Sequence, residues 1–323
     1  MEQTLAADEL RDQLDAQGYL IVEDVLDQDS VIDPVLDAFA ARISEYALRE
    51  RHTRSFARLD LAAQLIKLVE DGQSWLDTGF DIALPPGGPY LPGIPMFLER
   101  EMFDLLTDDR LLDVIERIIG PTIWMNPSAH TRMKVPNWMA ETKNQRIGDT
   151  QWHQDAGVVL PEIDDWNMLT VWIPLTDAPV EAGCLRVHPT PVDGELLDHC
   201  RDAKNGTAIA PSRMPQNEEV ALPMRRGSVL FLRPRTPHAS LSNVTPDQVR
   251  ISLDLRYQPV GKPNGRPWMP SYLVRGTDPD GGHLATYEEW RDGWLQTQRE
   301  LVTKTNGEKI KFNRWNFDAE VCA

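Results

Sequence analysis

The residues of this chain best suited to chemistry are two histidines, an aspartate and an arginine. His153 and Asp155 lie two residues apart in a β-type run. Because strand side chains alternate between faces, this imidazole and this carboxylate point the same way and offer one cation two adjacent ligands. The pair alone is a weak signal, because seven histidines and 50 acidic residues in 323 positions give about one His-x-Asp/Glu by chance.

A second segment adds the residues that a complete site needs. The apolar run 228–232 leads to His238, and a later run opens with Arg250 and Ser252. Two imidazoles and one carboxylate leave one face of an octahedral ion open, which suits Fe(II) that also binds a co-substrate and oxygen. Zinc accepts the same ligands, usually for hydrolysis. Arg250 favours the oxidative chemistry, since its planar guanidinium can hold a dicarboxylate's distal carboxylate, with Ser252 on the same strand face.

The elements that must position these residues change type along the chain. The N-terminal part has helical spacing, interrupted by the short strand Tyr19-Leu-Ile-Val. From residue 123 to 257 the chain is a series of short β-type runs between Pro, Gly, Asn and Asp, which favours an antiparallel sandwich or a closed barrel. The predicted helices are 7–17, about 29–70, about 105–119 and 286 to about 302. The predicted strands are 123–125, 130–135, 152–160, 168–173, 184–187, 220–222, 228–232, 238–241 and 250–257.

We expect one domain over residues 1–323. Its parts would be a helical N-terminal part of about 1–120, a barrel of about 121–260 and a C-terminal extension of about 261–323. No internal repeat and no linker-like composition separates them.

Charge and cysteine content exclude several classes of protein. With 33 Lys+Arg against 50 Asp+Glu and a net charge of -17, a general nucleic-acid binder is disfavoured, because neutralising phosphates requires clustered basic residues. No run of eighteen apolar residues and no secretory start is present. We therefore expect a cytoplasmic location and no membrane partner. Cys184, Cys200 and Cys322 have no CxxC spacing, which predicts neither a disulfide framework nor a thiolate zinc site. The sequence makes no prediction of the oligomeric state.

Over roughly residues 10–259 the sequence resembles the phytanoyl-CoA dioxygenase family of Fe(II)/2-oxoglutarate-dependent oxygenases. The resemblance rests on several motifs that occur together and in the family's order, which is far more specific than any single motif. The motifs are Gln17-Gly-Tyr-Leu-Ile-Val, Arg132-Met-Lys134-Val-Pro136, Trp152-His153-Gln-Asp155, Leu169-Thr-Val-Trp172-Ile-Pro-Leu, Glu181-Ala-Gly-Cys184-Leu-Arg-Val and the His238/Arg250 pair.

The resemblance implies a mainly β protein, the double-stranded β-helix or jelly-roll barrel of the cupins, flanked by N-terminal and C-terminal helices. It implies catalytic and metal-binding roles for His153, Asp155 and His238 on Fe(II), and a 2-oxoglutarate contact for Arg250. Oxidation of a small-molecule substrate by O2 would release succinate and CO2. Related halogenases lack the carboxylate that Asp155 supplies, so halogenation is disfavoured.

Further positions match the family's pattern. Lys134 matches a lysine that approaches the co-substrate, Ser252 matches the Arg-x-Ser pattern of the wider superfamily, and Trp172 matches a central-strand Trp that packs beneath the metal. One departure is His188-Pro-Thr-Pro191, where relatives usually have Pro-Gly-Ser-His. This leaves the proposed iron ligands untouched, and His188 is not assigned to the metal.

The substrate is the least determined part of the sequence-based interpretation. Arg256 shares the strand face of Arg250 and is a candidate substrate anchor or an ion-pair partner of Asp254. The Pro/Gly-rich segment 81–95 is a candidate lid, with Phe80 and Tyr90 as candidate substrate contacts. The basic cluster at Arg49, Arg51, Arg54 and Arg58 is better explained as a solvated helix face.

Two other classes of function remain open at this stage. One is a cupin-like protein that binds a metal without turnover, and the other is a zinc-dependent lyase or hydrolase on the same barrel. A buried arginine suited to a dicarboxylate argues against the first, and metal content together with 2-oxoglutarate dependence discriminates the second. Within the oxygenases, hydroxylation shares its residues with desaturation, epoxidation and ring formation.

Overall fold

The computed structural model describes residues 7–49, 56, 59–71, 79–139, 148–164, 166, 168–201, 206–310 and 314–322. The side chains of the predicted arginine cluster lie outside this part. The helices are α1 (Ala7–Gln17), α2 (Asp33–Arg49), α3 (Leu61–Glu70), α4 (Arg100–Leu106), α5 (Asp109–Ile119) and α6 (Tyr287–Thr305). The strands are β1 (Tyr19–Val22), β2 (Ile123–Met125), β3 (His130–Lys134), β4 (Leu169–Pro174), β5 (Leu185–Val187), β6 (His199–Arg201), β7 (Thr207–Ile209), β8 (Val220–Leu222), β9 (Val229–Leu232), β10 (His238–Ser240), β11 (Arg250–Pro259) and β12 (Tyr272–Arg275).

The described strands form a large and a small antiparallel sheet, together with the hairpin β6–β7. The large sheet has the order β1-β9-β4-β11-β2-β12, with β3 also paired to β11. The small sheet has the order β10-β5-β8. The chain is therefore mainly antiparallel β with several helices, as the jelly-roll prediction requires. Strand β1 belongs to the large sheet, because Tyr19 to Val22 pair with Leu232 to Val229.

Successive side chains of the central strands β4 and β11 point to opposite faces of the sheet and so enter two different environments. On β4, Val171 and Ile173 pack in the main apolar core together with the helices, whereas Trp172 packs with residues of β5 and β9 in a second core. Strand β11 shows the same alternation, with Ile251, Leu253, Leu255 and Tyr257 in the main core. The residues between them carry charge or hydroxyl groups: Arg250, Ser252, Asp254 and Arg256. One face of β11 is thus apolar, and the opposite face presents polar groups.

Helix ends follow sequence signals. Helix α1 is followed by Gly18, whose φ is +80° and whose N–H donates to the Leu14 carbonyl at 2.8 Å. A Cβ there would lie 2.3 Å from the Thr190 carbonyl oxygen, so only glycine fits. At α6, Thr286 and Glu289 form a capping box. Trp290, Trp294 and Leu301 are the buried residues of this helix.

The structure differs from the sequence-based prediction at residues 152–160. Instead of a strand, His153 forms a single antiparallel bridge with His238, and a 3-10 turn follows over Asp155–Val158. The ladder ends because the Gln154 N–H donates to the His199 side chain instead of to a strand. The predicted helix 29–70 is likewise divided, into a π-helical turn at Gln28–Ile32, α2 and α3.

The prediction that the cysteines form no disulfide is wrong. Cys200 on β6 is bonded to Cys322, which lies 122 positions later in the sequence, and their Cα atoms are 5.4 Å apart. Cys184 is free and buried. The pair was missed because widely separated cysteines carry no local signal. Disulfides are rare in reducing cytosol, so the cytoplasmic location stays a prediction. In the described residues, no helix is long and apolar enough to cross a bilayer.

Candidate metal centre

The two histidines of the predicted site meet through their backbones. The His153 N–H donates to the His238 carbonyl at 3.0 Å, and the reverse bond is 2.9 Å long. Each ring directs Nδ1 at a carbonyl, that of Gln151 at 2.9 Å for His153 and that of Thr236 at 3.0 Å for His238. Since a carbonyl only accepts, Nδ1 carries the proton in each neutral ring, and both Nε2 lone pairs remain available for a metal ion.

Asp155 supplies the carboxylate from the start of the 3-10 turn. Its side chain is 1% exposed, and its Oδ1 lies 3.8 Å from the His153 Nε2. Ligand atoms of His153, Asp155 and His238 all lie within 4.8 Å of one another. The described residues thus include a His-Asp-His triad capable of binding a metal ion.

The electrostatic surroundings keep this triad in its ligating form. Burial, followed by the proximity of His238, lowers the pKa of His153 to about 3, so the ring is neutral at physiological pH. Burial alone would raise the pKa of Asp155. The Arg256 charge and the neighbouring histidines more than offset this, and the pKa lies below its usual range. A neutral imidazole and an ionised carboxylate are the forms that bind metals.

Arg256 is the cation that holds Asp155. Its Nη2 contacts the Asp155 Oδ1, and its Nη1 lies 3.0 Å from the Asp254 Oδ1. The second Asp155 oxygen accepts a hydrogen bond from the Thr170 hydroxyl on β4. Burial lowers the pKa of Arg256, but the two carboxylates outweigh it and raise the pKa above its ordinary value. In the structure Arg256 is an ion-pair partner of both acids, whereas its role as a substrate anchor stays a prediction.

The predicted co-substrate residues lie at the start of β11 and on the adjacent strand β3. Arg250 is 3% exposed, and its Nη1 donates to the Ser252 hydroxyl at 2.6 Å. The guanidinium lies 5.4 Å from the centre of the Trp172 ring, and its Nε has no hydrogen-bond partner in the part of the chain that the structure describes. Burial lowers the pKa of Arg250 to about 10, so it remains a cation at neutral pH.

Lys134 faces Arg250 in the β3–β11 register. Its Nζ already donates to the Asp149 carboxylate at 2.8 Å, the Ser240 hydroxyl at 2.6 Å and the Leu241 carbonyl at 2.5 Å. These protein acceptors hold the ammonium on the β10 side of the barrel. A 2-oxoglutarate contact for Lys134 stays a prediction.

The predicted lid is fastened to the rest of the fold. Asp81 accepts hydrogen bonds from the His130 ring at 3.1 Å and the Thr131 N–H at 3.2 Å. Phe80 is 1% exposed and packs edge-on against Phe39 at 5.2 Å. Tyr90 is fully buried, and its hydroxyl donates to the Pro86 carbonyl at 3.1 Å. A substrate contact for either aromatic ring stays a prediction.

The sequence comparison gives the family. The phytanoyl-CoA dioxygenase (PhyH) family model matches residues 14–252, well over half of the chain. The chain belongs to the phytanoyl-CoA dioxygenase family. The matched range contains the triad, Arg250 and Ser252. No curated protein matches this family member in sequence.

Solved structures resemble this phytanoyl-CoA dioxygenase family member at low sequence identity. The non-heme monooxygenase ThoJ in its apo form is 16% identical with a TM-score of 0.57, covering 91% of this chain and 99% of that chain. Its nickel complex is 14% identical with a TM-score of 0.53, covering 92% and 97%. At these identities the likeness establishes the fold. The epimerase SnoN, in complex with Fe3+, alpha ketoglutarate and nogalamycin RO, is 21% identical with a TM-score of 0.47, covering 88% and 96%.

Sequence reasoning missed two residues that contact the ligating segment of this family member. Thr170 carries no local signal, because only the pairing of β4 with β11 brings it to Asp155. His199 Nδ1 donates to the Leu197 carbonyl at 2.8 Å, which leaves Nε2 to accept the Gln154 N–H at 3.0 Å. Burial lowers the pKa of His199 to about 4, so the ring remains a neutral acceptor. It fixes the backbone between the two ligands His153 and Asp155.

Proposed function

We propose that this family member is an Fe(II)/2-oxoglutarate-dependent dioxygenase that hydroxylates a small-molecule metabolite. The observation that carries the proposal is the triad of His153, Asp155 and His238 in one chain with a buried Arg250 that forms no ion pair with a described residue. Substrate, 2-oxoglutarate and O2 would give hydroxylated substrate, succinate and CO2. Family membership supports the class of enzyme, and the hydroxylation is our inference.

The donor set fits iron. His153 and His238 each have an Nε2 free of the hydrogen bond that orients the ring, and Asp155 adds one carboxylate. Two imidazoles and a carboxylate leave coordination positions for a keto acid and for oxygen. When bound, Fe(II) would supply oxygen activation, while these residues hold it and Arg256 keeps Asp155 oriented and ionised.

The co-substrate assignment rests on Arg250 and Ser252. A dicarboxylate needs a cation at its distal end, and Arg250 is a buried guanidinium next to a hydroxyl on the same strand face. Lys134 would add positive charge nearby. In the same proposal, residues 1–323 form a single dioxygenase domain, since β1 from the N-terminal part pairs within the large sheet.

Two other functions differ from this proposal in what they require of the protein. A cupin-like metal binder without turnover has no use for a buried guanidinium that lacks an acid. A zinc-dependent lyase or hydrolase would work with zinc and without 2-oxoglutarate. Desaturation, epoxidation and ring formation would use the same protein residues, and product analysis separates them from hydroxylation.

The test is an anaerobic titration of Fe(II) and 2-oxoglutarate into the metal-free protein. We expect the weak visible charge-transfer band of an iron-chelated keto acid. Asp155→Ala should lose the band, and Arg250→Met should require more 2-oxoglutarate to produce it. Arg233→Met is the matched control, because Arg233 is equally buried but pairs with Asp15 on α1. With the iron content verified, absence of the band in the wild type would refute the proposal.

A further inference from the structure

Buried arginines in the described residues fall into two groups. Arg233, Arg250, Arg256 and Arg266 are each 3–4% exposed. Arg233 pairs with Asp15, and Arg256 pairs with Asp155 and Asp254. Arg250 and Arg266 form no ion pair with a described residue. The proposed function explains Arg250 by the distal carboxylate of 2-oxoglutarate, but it leaves Arg266 without an anion.

The Arg266 guanidinium lacks hydrogen-bond acceptors as well. Its Nε and Nη1 are buried and have no hydrogen-bond partner among the described residues. Asp81 and Asp254 act on its charge without forming an ion pair with it, since Asp81 is hydrogen-bonded to His130 and Asp254 is paired with Arg256. Burial lowers the pKa of Arg266 to about 10, which keeps it charged at neutral pH. Burying a cation without a partner destabilises a fold, so such a group usually serves a ligand.

The loop that carries Arg266 is attached to two segments of the candidate metal centre. The preceding Gly265 accepts a hydrogen bond from the Leu160 N–H at 3.3 Å, and its own N–H donates to Glu162 at 2.9 Å. These contacts attach the Arg266 loop to the segment that follows Asp155. On the other side, Asn126 joins Arg256 to the loop, because its N–H donates to the Arg256 carbonyl and its side chain to the Asn264 carbonyl.

A second donor lies in the same place. The buried Trp268 indole N–H is directed at the Tyr90 hydroxyl oxygen, on which it acts as a side-chain hydrogen-bond donor. Both Trp268 and Arg266 act to lower the pKa of Tyr90, although burial of that phenol has the larger effect and raises it. Both groups therefore lie close to the Tyr90 hydroxyl, at the inner side of segment 81–95. A guanidinium only donates, so a ligand that satisfies Arg266 must be an acceptor, and the charge of Arg266 favours an anion.

We propose that Arg266, with Trp268 and Tyr90 beside it, binds a carboxylate of the substrate between the metal triad and segment 81–95. The proposal rests on the proposed function and names the class of its substrate, a small carboxylic acid. A monoanion fits better than a phosphate dianion, because Arg266 is the only cation at this place that forms no ion pair with a described residue. Arg256, which the sequence suggested as the anchor, is already occupied by two carboxylates.

The first test measures thermal unfolding of the metal-free protein and requires no substrate. Arg266→Met should raise Tm by about 2–4 °C, because it replaces an uncompensated buried cation with an apolar side chain of similar length. The control Arg233→Met should lower Tm, because it leaves Asp15 without its partner. If Arg266→Met lowers Tm as Arg233→Met does, or fails to fold, Arg266 has a structural role and the proposal is wrong.

The second test uses acetate as the probe, compared with chloride at equal ionic strength. To remove the competing Arg250 site, it is done in the Arg250→Met background. Acetate should raise Tm of this variant by linkage, and adding Arg266→Met should abolish the rise. Arg266→Lys, which keeps the charge, should retain part of it. An equal acetate response with and without Arg266 would overturn the proposal.

The experiments distinguish failure of the substrate proposal from failure of the proposed function. Neither thermal test uses iron or 2-oxoglutarate, so both can succeed in a protein that is no oxygenase. Conversely, Arg266→Met should leave the charge-transfer band of the iron and 2-oxoglutarate complex unchanged. A band that disappears in Arg266→Met would assign Arg266 to the co-substrate and contradict a substrate role.

Discussion

The ion pair between Arg256 and Asp155 offers the sharpest test of how the fold supports the candidate metal centre. Arg256→Met removes the charge while keeping most of the side-chain volume. It leaves Asp155, which is 1% exposed, and Asp254, which is 14% exposed, without their shared partner. The remaining cation near Asp254 is Arg132 at 3.7 Å, a residue that is 48% exposed.

The expected loss follows from geometry. At 3.0 Å and an effective dielectric of about 20, each charge pair is worth roughly 5–6 kcal/mol before desolvation is subtracted. Removing one partner of a buried pair typically costs about 3–5 kcal/mol, because the remaining charge is uncompensated. We therefore expect the free energy of unfolding of metal-free Arg256→Met to fall by about 3–5 kcal/mol at pH 7, measured by urea denaturation.

The pH dependence gives the sign of the effect. Asp155 has a folded-state pKa below its unfolded value, so its stabilisation is present above about pH 4 and is lost as the pH falls through the folded-state pKa. In Arg256→Met burial raises the pKa of Asp155, so the difference between wild type and variant should be largest at pH 7 and should shrink as the pH falls and the buried carboxyl takes up a proton. Adding Asp155→Asn should recover part of the loss, with a coupling of about 2 kcal/mol or more. Strictly additive effects, or a loss under about 1 kcal/mol, would refute the reasoning.

Three further predictions concern the co-substrate, a buried histidine and the disulfide. Arg250→Ala should raise the apparent KM for 2-oxoglutarate about ten- to a hundredfold in succinate-release assays, since a charged hydrogen bond contributes about 1.5–3 kcal/mol; an unchanged KM would mean that another cation binds the co-substrate. The pKa of His199 is lowered to about 4 by burial, so its stabilisation is present above about pH 6.5 and is lost as the pH falls towards 4. When urea titrations at pH 7 and pH 4.5 are compared, the free energy of unfolding of His199→Gln should therefore fall by about 2–3 kcal/mol less than that of the wild type. A thiol assay of the unfolded, non-reduced protein should find one free cysteine and three after reduction, and Cys322→Ser should lower the free energy of unfolding by about 2–5 kcal/mol.

The sequence predicted those parts of the structure that depend on local periodicity. The alternation on β11 was readable because strand side chains repeat every two residues, and Arg250, Ser252, Asp254 and Arg256 do share a face. Residues set by long-range pairing were not readable. Asp155 was identified by its spacing from His153, although it lies in a 3-10 turn and not on a strand. Thr170 and His199 contact the ligating segment from separate elements, so nothing in their own neighbourhoods marks them.

The distribution of charge along β11 and its continuation has a consequence for ligand binding. Arg250 begins the strand, and Arg256 near its end is neutralised by Asp155 and Asp254. Arg266 follows on the next loop, and neither Arg250 nor Arg266 forms an ion pair with a described residue. A protein that keeps two such cations is less stable when empty than when liganded, because each bound anion supplies the missing charge. Co-substrate and substrate should therefore each raise Tm of the metal-loaded protein, and 2-oxoglutarate should do so through Arg250 even in Arg266→Met.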